Sequence, residues 1–251
     1  MQEGQISLQK HHFMKDILFK FLSSFLCLVT LVGCSQKNDK LKIATAANMQ
    51  FAMKELIDAF EKEKGIEADM ILSSSGKLTA QIEAGAPFDL FFSADTKYPK
   101  QLAAKGLSSD PQVYAYGQLV SWFKKDEYQF ELYAMANPRT APYGRATEEY
   151  LRKIEKELPD VVYGESISQV NQFLLSGTVD AGFTSLSSVM SNKFSAEGKW
   201  ILLPDSLYSP IAQAYVILDD SDRKNEAAAF IDFLASGSAK GILETYGYKL
   251  N

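Results

Sequence analysis

Leu41-Lys42-Ile43-Ala44, then Ala46-Ala47-Asn48, then Met49, Met53, Leu56, Ile57 and Phe60 at helical spacing, closed by Gly65, is the stretch that decides the fold class. Leu41 to Ala44 reads as a strand. Asn48 stands where a helix N-cap belongs, and Gly65 where a C-cap glycine ends the helix. The unit repeats at once, with Ile66 to Leu72 strand-like, Ser73-Ser74-Ser75-Gly76 as a turn, and Lys77 to Ala84 as a short helix ended by Gly85 and Pro87. Phe88 to Ser93 follows as a buried strand, and Asp95 caps a helix running to Gly106. Alternation of this kind predicts a parallel sheet flanked by helices.

A second set of elements starts near Gly117. Gln118 to Lys124 reads as a strand, and a turn from Asn137 to Pro142 feeds a helix from Tyr143 to Leu158 with Ala146, Tyr150, Leu151 and Ile154 on its inner face. Val161 to Tyr163, Val179 to Thr184 and Lys199 to Leu203 supply further strands, with a helix from Ile167 to Leu175 after the first of them. The chain returns through Ala212 to Leu218 and ends in helices from Asp222 to Ala235 and from Ala239 to Tyr246. This order predicts an α/β fold of two lobes joined by two crossing strands. Lobe 1 takes residues 41–118 and 213–251, lobe 2 takes 119–212, and the last helices pack on lobe 1.

The N-terminal segment reads differently. Lys15 and Lys20 precede and enter an apolar run from Ile17 to Val32, which is short for a spanning helix and the right size for a signal-peptide core. It closes on Leu31-Val32-Gly33-Cys34, which resembles a bacterial lipobox, so residues 1–34 are expected to be a lipoprotein signal peptide with Cys34 as the lipidated residue. Met14 offers an alternative start. Residues 35–40 read as a polar tether, and a single acylated cysteine would hold the protein to a membrane that it does not span.

Removing that presequence takes away His11, His12 and Cys27, and lipid would consume Cys34. Histidine-dependent triads, zinc sites of His and Cys, cysteine redox chemistry and disulfides are then all excluded. The remaining chain carries 23 basic and 29 acidic residues, a net charge of -6, and offers no basic field for nucleic acid. An anion site in such a chain must work by local geometry. Four strand-to-helix turns suit that purpose, since helix starts present unpaired N–H groups and the positive end of the dipole. They are Ala46-Ala47-Asn48, Ser73-Ser74-Ser75-Gly76, Pro142-Tyr143-Gly144 and Glu165-Ser166-Ile167-Ser168, two in each lobe. Gly76-Lys77 is not a phosphate loop, because Ile71 occupies the required earlier glycine position and Leu78 replaces Ser or Thr.

Taken in order, Ala46-Ala47-Asn48, the run Ser73 to Leu78 and the run Gln81 to Asp95 closely resemble the periplasmic molybdate-binding proteins of ABC transporters. The closing run from Phe230 to Leu234 and on to Tyr246-Gly247-Tyr248 does so too. The resemblance implies the two-lobed type II periplasmic binding protein fold, each lobe a mixed, mainly parallel sheet with the ligand in the cleft between. It also implies molybdate or tungstate as ligand, an ABC permease and ATPase as partners, a monomer, no cofactor and no catalysis. Carried over by position, the ligand contacts fall on Asn48, Ser75, Tyr143 and Ile167, the last two through backbone N–H groups, with Ala47, Ser74 and Gly76 beside them. Some members place a tyrosine where this chain has Ser185, which makes Ser185 a candidate of shorter reach and Tyr143 an alternative hydroxyl donor. Other readings weighed on the residues alone are a sulfate, phosphate or carboxylate binder, a bare-cation site made of carboxylates, and a Ser-dependent hydrolase, which here lacks both a histidine base and a Gly-x-Ser-x-Gly elbow.

Overall fold

A computed structural model describes residues 40–124, 130–191, 194 and 198–250. The expected signal peptide, Cys34 as the expected site of lipidation and all of the expected tether but Lys40 lie outside these residues.

Lobe 1 is built on β1 (Leu41–Ala46), β2 (Ala68–Ser73), β3 (Leu90–Ser93), β4 (Gln112–Gly117) and β10 (Ile211–Ile217), in the spatial order β2-β1-β3-β10-β4. Lobe 2 is built on β5 (Leu119–Phe123), β6 (Leu132–Ala136), β7 (Asp160–Gly164), β8 (Ala181–Ser185) and β9 (Lys199–Leu202), in the order β7-β6-β8-β5-β9. In each sheet three neighbouring strands run parallel, and one strand that has crossed from the other lobe runs against them. That strand is β10 in lobe 1 and β5 in lobe 2, and it pairs antiparallel on its far side with β4 or β9. Four of the five strands in each sheet therefore share one direction, the mixed and mainly parallel arrangement expected.

The helices follow the strands. A 3-10 turn (Ala47–Met49) leads into α1 (Gln50–Lys64), whose Ala52, Met53, Leu56, Ile57 and Phe60 are buried and which ends at Gly65 with φ of 67°. A left-handed backbone there costs glycine nothing. Then come α2 (Ser75–Glu83), α3 (Lys97–Ala104), α4 (Pro142–Lys153), α5 (Ile167–Ser176), the short α6 (Leu186–Val189), α7 (Lys224–Leu234) and α8 (Gly237–Thr245). The two C-terminal helices join lobe 1, where Phe230 meets Phe60 edge-on at a centroid distance of 4.9 Å and Phe233, Ala239 and Leu243 share one apolar cluster with Leu41, Met53 and Leu56.

Several expectations need correction. The helix read from Tyr143 to Leu158 starts one residue earlier and stops at Lys153, because Glu155 turns left-handed at φ of 53°; Ile154, expected on the inner face, is 37% exposed. β10 spans Ile211–Ile217, one residue ahead of the expected Ala212 to Leu218. β4, β6 and α6 lie where the sequence pattern gave no element. Leu132-Tyr133-Ala134-Met135-Ala136 is rich in helix-formers, yet its pairing with β7 on one side and β8 on the other makes it a strand, a case of tertiary context overriding local propensity.

Candidate functional site

Each of the four turns is a helix start at the carboxyl end of a strand. The 3-10 turn follows β1, α2 follows β2, α4 follows the loop after β6, and α5 follows β7. Ser75 and Ile167 are the first residues of α2 and α5, Tyr143 is the second residue of α4, and Asn48 is the middle residue of the turn. N–H groups at such positions have no partner within their own helix and lie at the positive end of its dipole.

The four starts converge. Ala46, Ala47 and Ala94 of lobe 1 belong to the same buried cluster as Ala141, Tyr143 and Ile167 of lobe 2, and α5 packs on the Ala47–Met49 turn. The Gly76 N–H donates across the lobes to the Thr140 carbonyl at 2.9 Å. Asn48, Ser74, Ser75, Tyr143, Ile167 and Ser185 are all buried, and Gly76 is half-buried. No charged side chain stands among them. Glycine is required at Gly144, where a Cβ would come 2.2 Å from the Ala136 carbonyl oxygen, and this lets α4 start tight against β6.

The hydroxyls differ in what they have left to give. Ser75 Oγ accepts from the Ala94 N–H at 3.0 Å, and its own proton stays uncommitted. Ser74 stands at the N-cap of α2 but makes no capping bond, and its Oγ is buried without a partner. Ser185 is committed: its Oγ caps α6 by accepting from the Ser188 N–H at 3.2 Å and lies 3.1 and 2.8 Å from the hydroxyls of Ser187 and Ser188. The Tyr143 hydroxyl abuts Gly117, where a Cβ would be 2.1 Å away, and lies beside the Asn48 carboxamide without a hydrogen bond of good geometry. Burial pushes its pKa well above the ordinary 10.0, neighbouring Tyr248, Tyr208 and Tyr114 raise it further, and the Asn48 side chain partly offsets this. It therefore stays a neutral hydroxyl.

Asn48 departs from its expected role. It caps no helix, since the turn starts at Ala47 and α1 has no side-chain cap. Its Nδ2 donates instead to Gln213 Oε1 at 2.8 Å and to the Tyr248 hydroxyl at 2.9 Å. Both amide protons are spent, which leaves the main-chain N–H as the group Asn48 can offer a ligand. Gln213, Tyr248 and Ser187 are the buried polar residues that sequence reasoning missed. Gln213 did carry a signal, a glutamine inside the otherwise apolar strand Ile211–Ile217, where a buried polar side chain calls for partners.

Around this patch the lobes are held together by polar contacts. Asp95 forms an ion pair with Arg145, whose guanidinium lies 5.3 Å from the Tyr98 ring centroid, and the Tyr98 hydroxyl donates to the Arg139 carbonyl at 3.1 Å. Lys77 and Glu165 pair at 2.9 Å, and Ser168 Oγ donates to Gln50 Oε1 at 3.0 Å. A cavity of about 250 Å³ opens between the lobes next to Ala94 and Pro142, with Asp95, Arg145 and Glu149 in its wall. Its charges are of both signs, unlike the uncharged patch beside it.

Known proteins share this architecture. The profile of the family described as bacterial extracellular solute-binding protein matches residues 41–249. The molybdate-binding protein ModA of Azotobacter vinelandii is 33% identical over 236 residues, covering 88% of this chain and 94% of the relative. The protein of the same name from Rhodobacter capsulatus is 33% identical over 220 residues, covering 82% and 86%. Among solved structures, the Azotobacter vinelandii periplasmic molybdate-binding protein superposes with a TM-score of 0.78 at 29% identity, covering 84% of this chain and all of that one. With two α/β lobes, helix starts gathered between them and a family match from end to end of the folded part, the chain belongs to the bacterial extracellular solute-binding proteins and is a binding protein, not an enzyme.

Proposed function

We propose that this protein captures molybdate or tungstate outside the cytoplasmic membrane and delivers it to an ABC permease with its ATPase. The observation that carries the reading is the convergence of four helix starts from both lobes on one buried, uncharged patch. There the hydroxyl protons of Ser74 and Ser75 have no acceptor of their own. A tetrahedral dianion supplies many acceptors at once, and each hydrogen bond to a charged group contributes about 1.5–3 kcal/mol. In this reading Asn48, Tyr143 and Ile167 donate through main-chain N–H groups and Ser75 through its hydroxyl. Ala47, Ser74 and Gly76 line the same cradle, and Ser185 supports it as a helix cap. The names of the 33% identical relatives favour molybdate over sulfate or phosphate.

The same proposal takes residues 1–34 as a lipoprotein signal peptide, Cys34 as a lipid anchor, 35–40 as a tether, and the monomer as the working form. The lobes, 41–118 with 213–251 and 119–212, close by a hinge at β4–β5 and β9–β10. Calorimetric titration of residues 35–251 tests the ligand. Molybdate and tungstate are expected to bind tightly and the smaller sulfate at least about 100-fold more weakly, a gap of about 2.7 kcal/mol. Absence of heat with both metal oxyanions overturns the reading.

A further inference from the structure

The C-terminal tail is sewn to the hinge. The Tyr116 N–H donates to the Lys249 carbonyl at 2.7 Å, the Lys249 N–H returns a bond to the Tyr116 carbonyl at 3.0 Å, and Gln118 Nε2 donates to the Gly247 carbonyl at 2.9 Å. These bonds flank Gly117, where the chain passes from one lobe to the other. Gly247 has φ of 73°, and a Cβ there would lie 2.5 Å from Leu186 Cδ2, so the tail can turn at this point and press on α6 only as glycine. Tyr248 is thereby aimed inward and is buried.

The direction of the hydrogen bonds around it is fixed. Gln213 Nε2 donates to the Ile211 carbonyl at 2.9 Å and lies 3.4 Å from that of Ala94. Carbonyl oxygens only accept, so Gln213 must turn Oε1 toward Asn48, and Asn48 must turn Nδ2 toward Gln213. The second Nδ2 proton then goes to the Tyr248 hydroxyl. The single proton of that hydroxyl is shared between the Asn48 carbonyl and Ser187 Oγ, each at 3.2 Å, and Ser187 itself donates to the Asn48 carbonyl. One hydroxyl therefore grips residue 48 at both its side chain and its main chain. It also ties that residue to Ser187, which belongs to lobe 2.

We infer that Tyr248 is a positioning residue of the oxyanion site. Its hydroxyl fixes the Ala47–Met49 turn so that the Asn48 N–H is aimed into the cradle, and it joins that turn to lobe 2 when the lobes meet. Separating the lobes breaks the bond to Ser187 and leaves those to Asn48, so the hydroxyl has all its partners only in the closed form. The inference rests on the proposed oxyanion function and on Asn48 as a contact.

The test is a double-mutant cycle read by molybdate calorimetry on Tyr248→Phe, Asn48→Ala and the pair, beside the unaltered protein. Tyr248→Phe is expected to weaken binding about tenfold, the order of one lost hydrogen bond, and to cost only about threefold once Asn48→Ala is in place, because the bond to the carboxamide is then already gone while that to the residue 48 carbonyl remains. Equal losses in both backgrounds would mean a purely structural role and overturn the inference. Ser187→Ala, which leaves the tail intact, is expected to weaken binding about fivefold and covers the case of a Tyr248→Phe protein that does not fold; unchanged binding counts against the inference. If the unaltered protein binds neither molybdate nor tungstate, the functional reading itself fails. If it binds and Tyr248→Phe binds equally well, only the positioning role falls.

Discussion

Lobe 1 and lobe 2 are the same sheet made twice. β1 corresponds to β6, β2 to β7 and β3 to β8, and each lobe receives one antiparallel strand from the other, β10 or β5. The helix starts correspond as well, the Asn48 turn with that of Tyr143 and the Ser75 turn with that of Ile167. What differs is the chemistry at equivalent positions. Lobe 1 places the buried polar side chains of Asn48, Ser74 and Ser75 there, with Asn48 tied to Gln213 and Tyr248, Ser75 accepting from the Ala94 N–H, and the Ser74 hydroxyl without a partner. Lobe 2 places Tyr143 and Ile167 there, whose side chains join the apolar cluster and leave mainly the backbone to face a ligand. In the proposed site, helix geometry alone builds one half, while the other half adds hydroxyls and a network that holds the Asn48 turn in place.

That contrast can be broken from either side. Ser75→Ala should have the largest effect of the three variations considered, because it removes a hydroxyl donor and strands the buried Ala94 N–H; about 2 kcal/mol, or about thirtyfold weaker molybdate binding, is expected in calorimetry. Tyr143→Phe should change affinity by less than about twofold, since the contribution of lobe 2 at that turn is a main-chain N–H and the hydroxyl has no partner to lose. A loss of tenfold or more would instead place the Tyr143 hydroxyl on the anion. Smallest of all is the effect of pH. Residues 35–251 contain no histidine, and burial raises the pKa of both Tyr143 and Tyr248 above 10.0, so molybdate affinity should stay within about twofold from pH 6 to pH 9. The folding contribution of these raised tyrosines is complete below pH 10 and is lost as pH climbs through their folded-state values. Thermal melting should therefore fall on the alkaline side, above the ordinary tyrosine value of 10.0.

The parts legible in the sequence were those set by local rules. Gly65 ended α1 as its position requires, the strand-turn-helix units of lobe 1 fell where the apolar spacing put them, and the turns at Ser75 and Ile167 are helix starts. The illegible parts depend on distant partners. β6 is a strand because β7 and β8 flank it, and nothing in Leu132 to Ala136 announces this. Asn48 looked like a cap because asparagine favours that position, but its amide is claimed by Gln213 and Tyr248, far along the chain. Ser185 was read against a longer tyrosine, and its immediate neighbours on α6 take its hydroxyl.

The central claim is that uncharged main-chain donors from lobe 2 meet hydroxyls from lobe 1 on one oxyanion. Ile167 tests it most directly. As the first residue of α5 it can become proline with the helix intact, because that position needs no intrahelical N–H and Ser166 is already extended at φ of -156° and ψ of 168°. Ile167→Pro therefore deletes the N–H together with part of a buried side chain, while Ile167→Val trims that side chain and keeps the N–H. Molybdate titration of the two variants is predicted to show binding within about twofold of the unaltered protein for valine and at least about tenfold weaker for proline. Proline binding as tightly as valine would contradict the account.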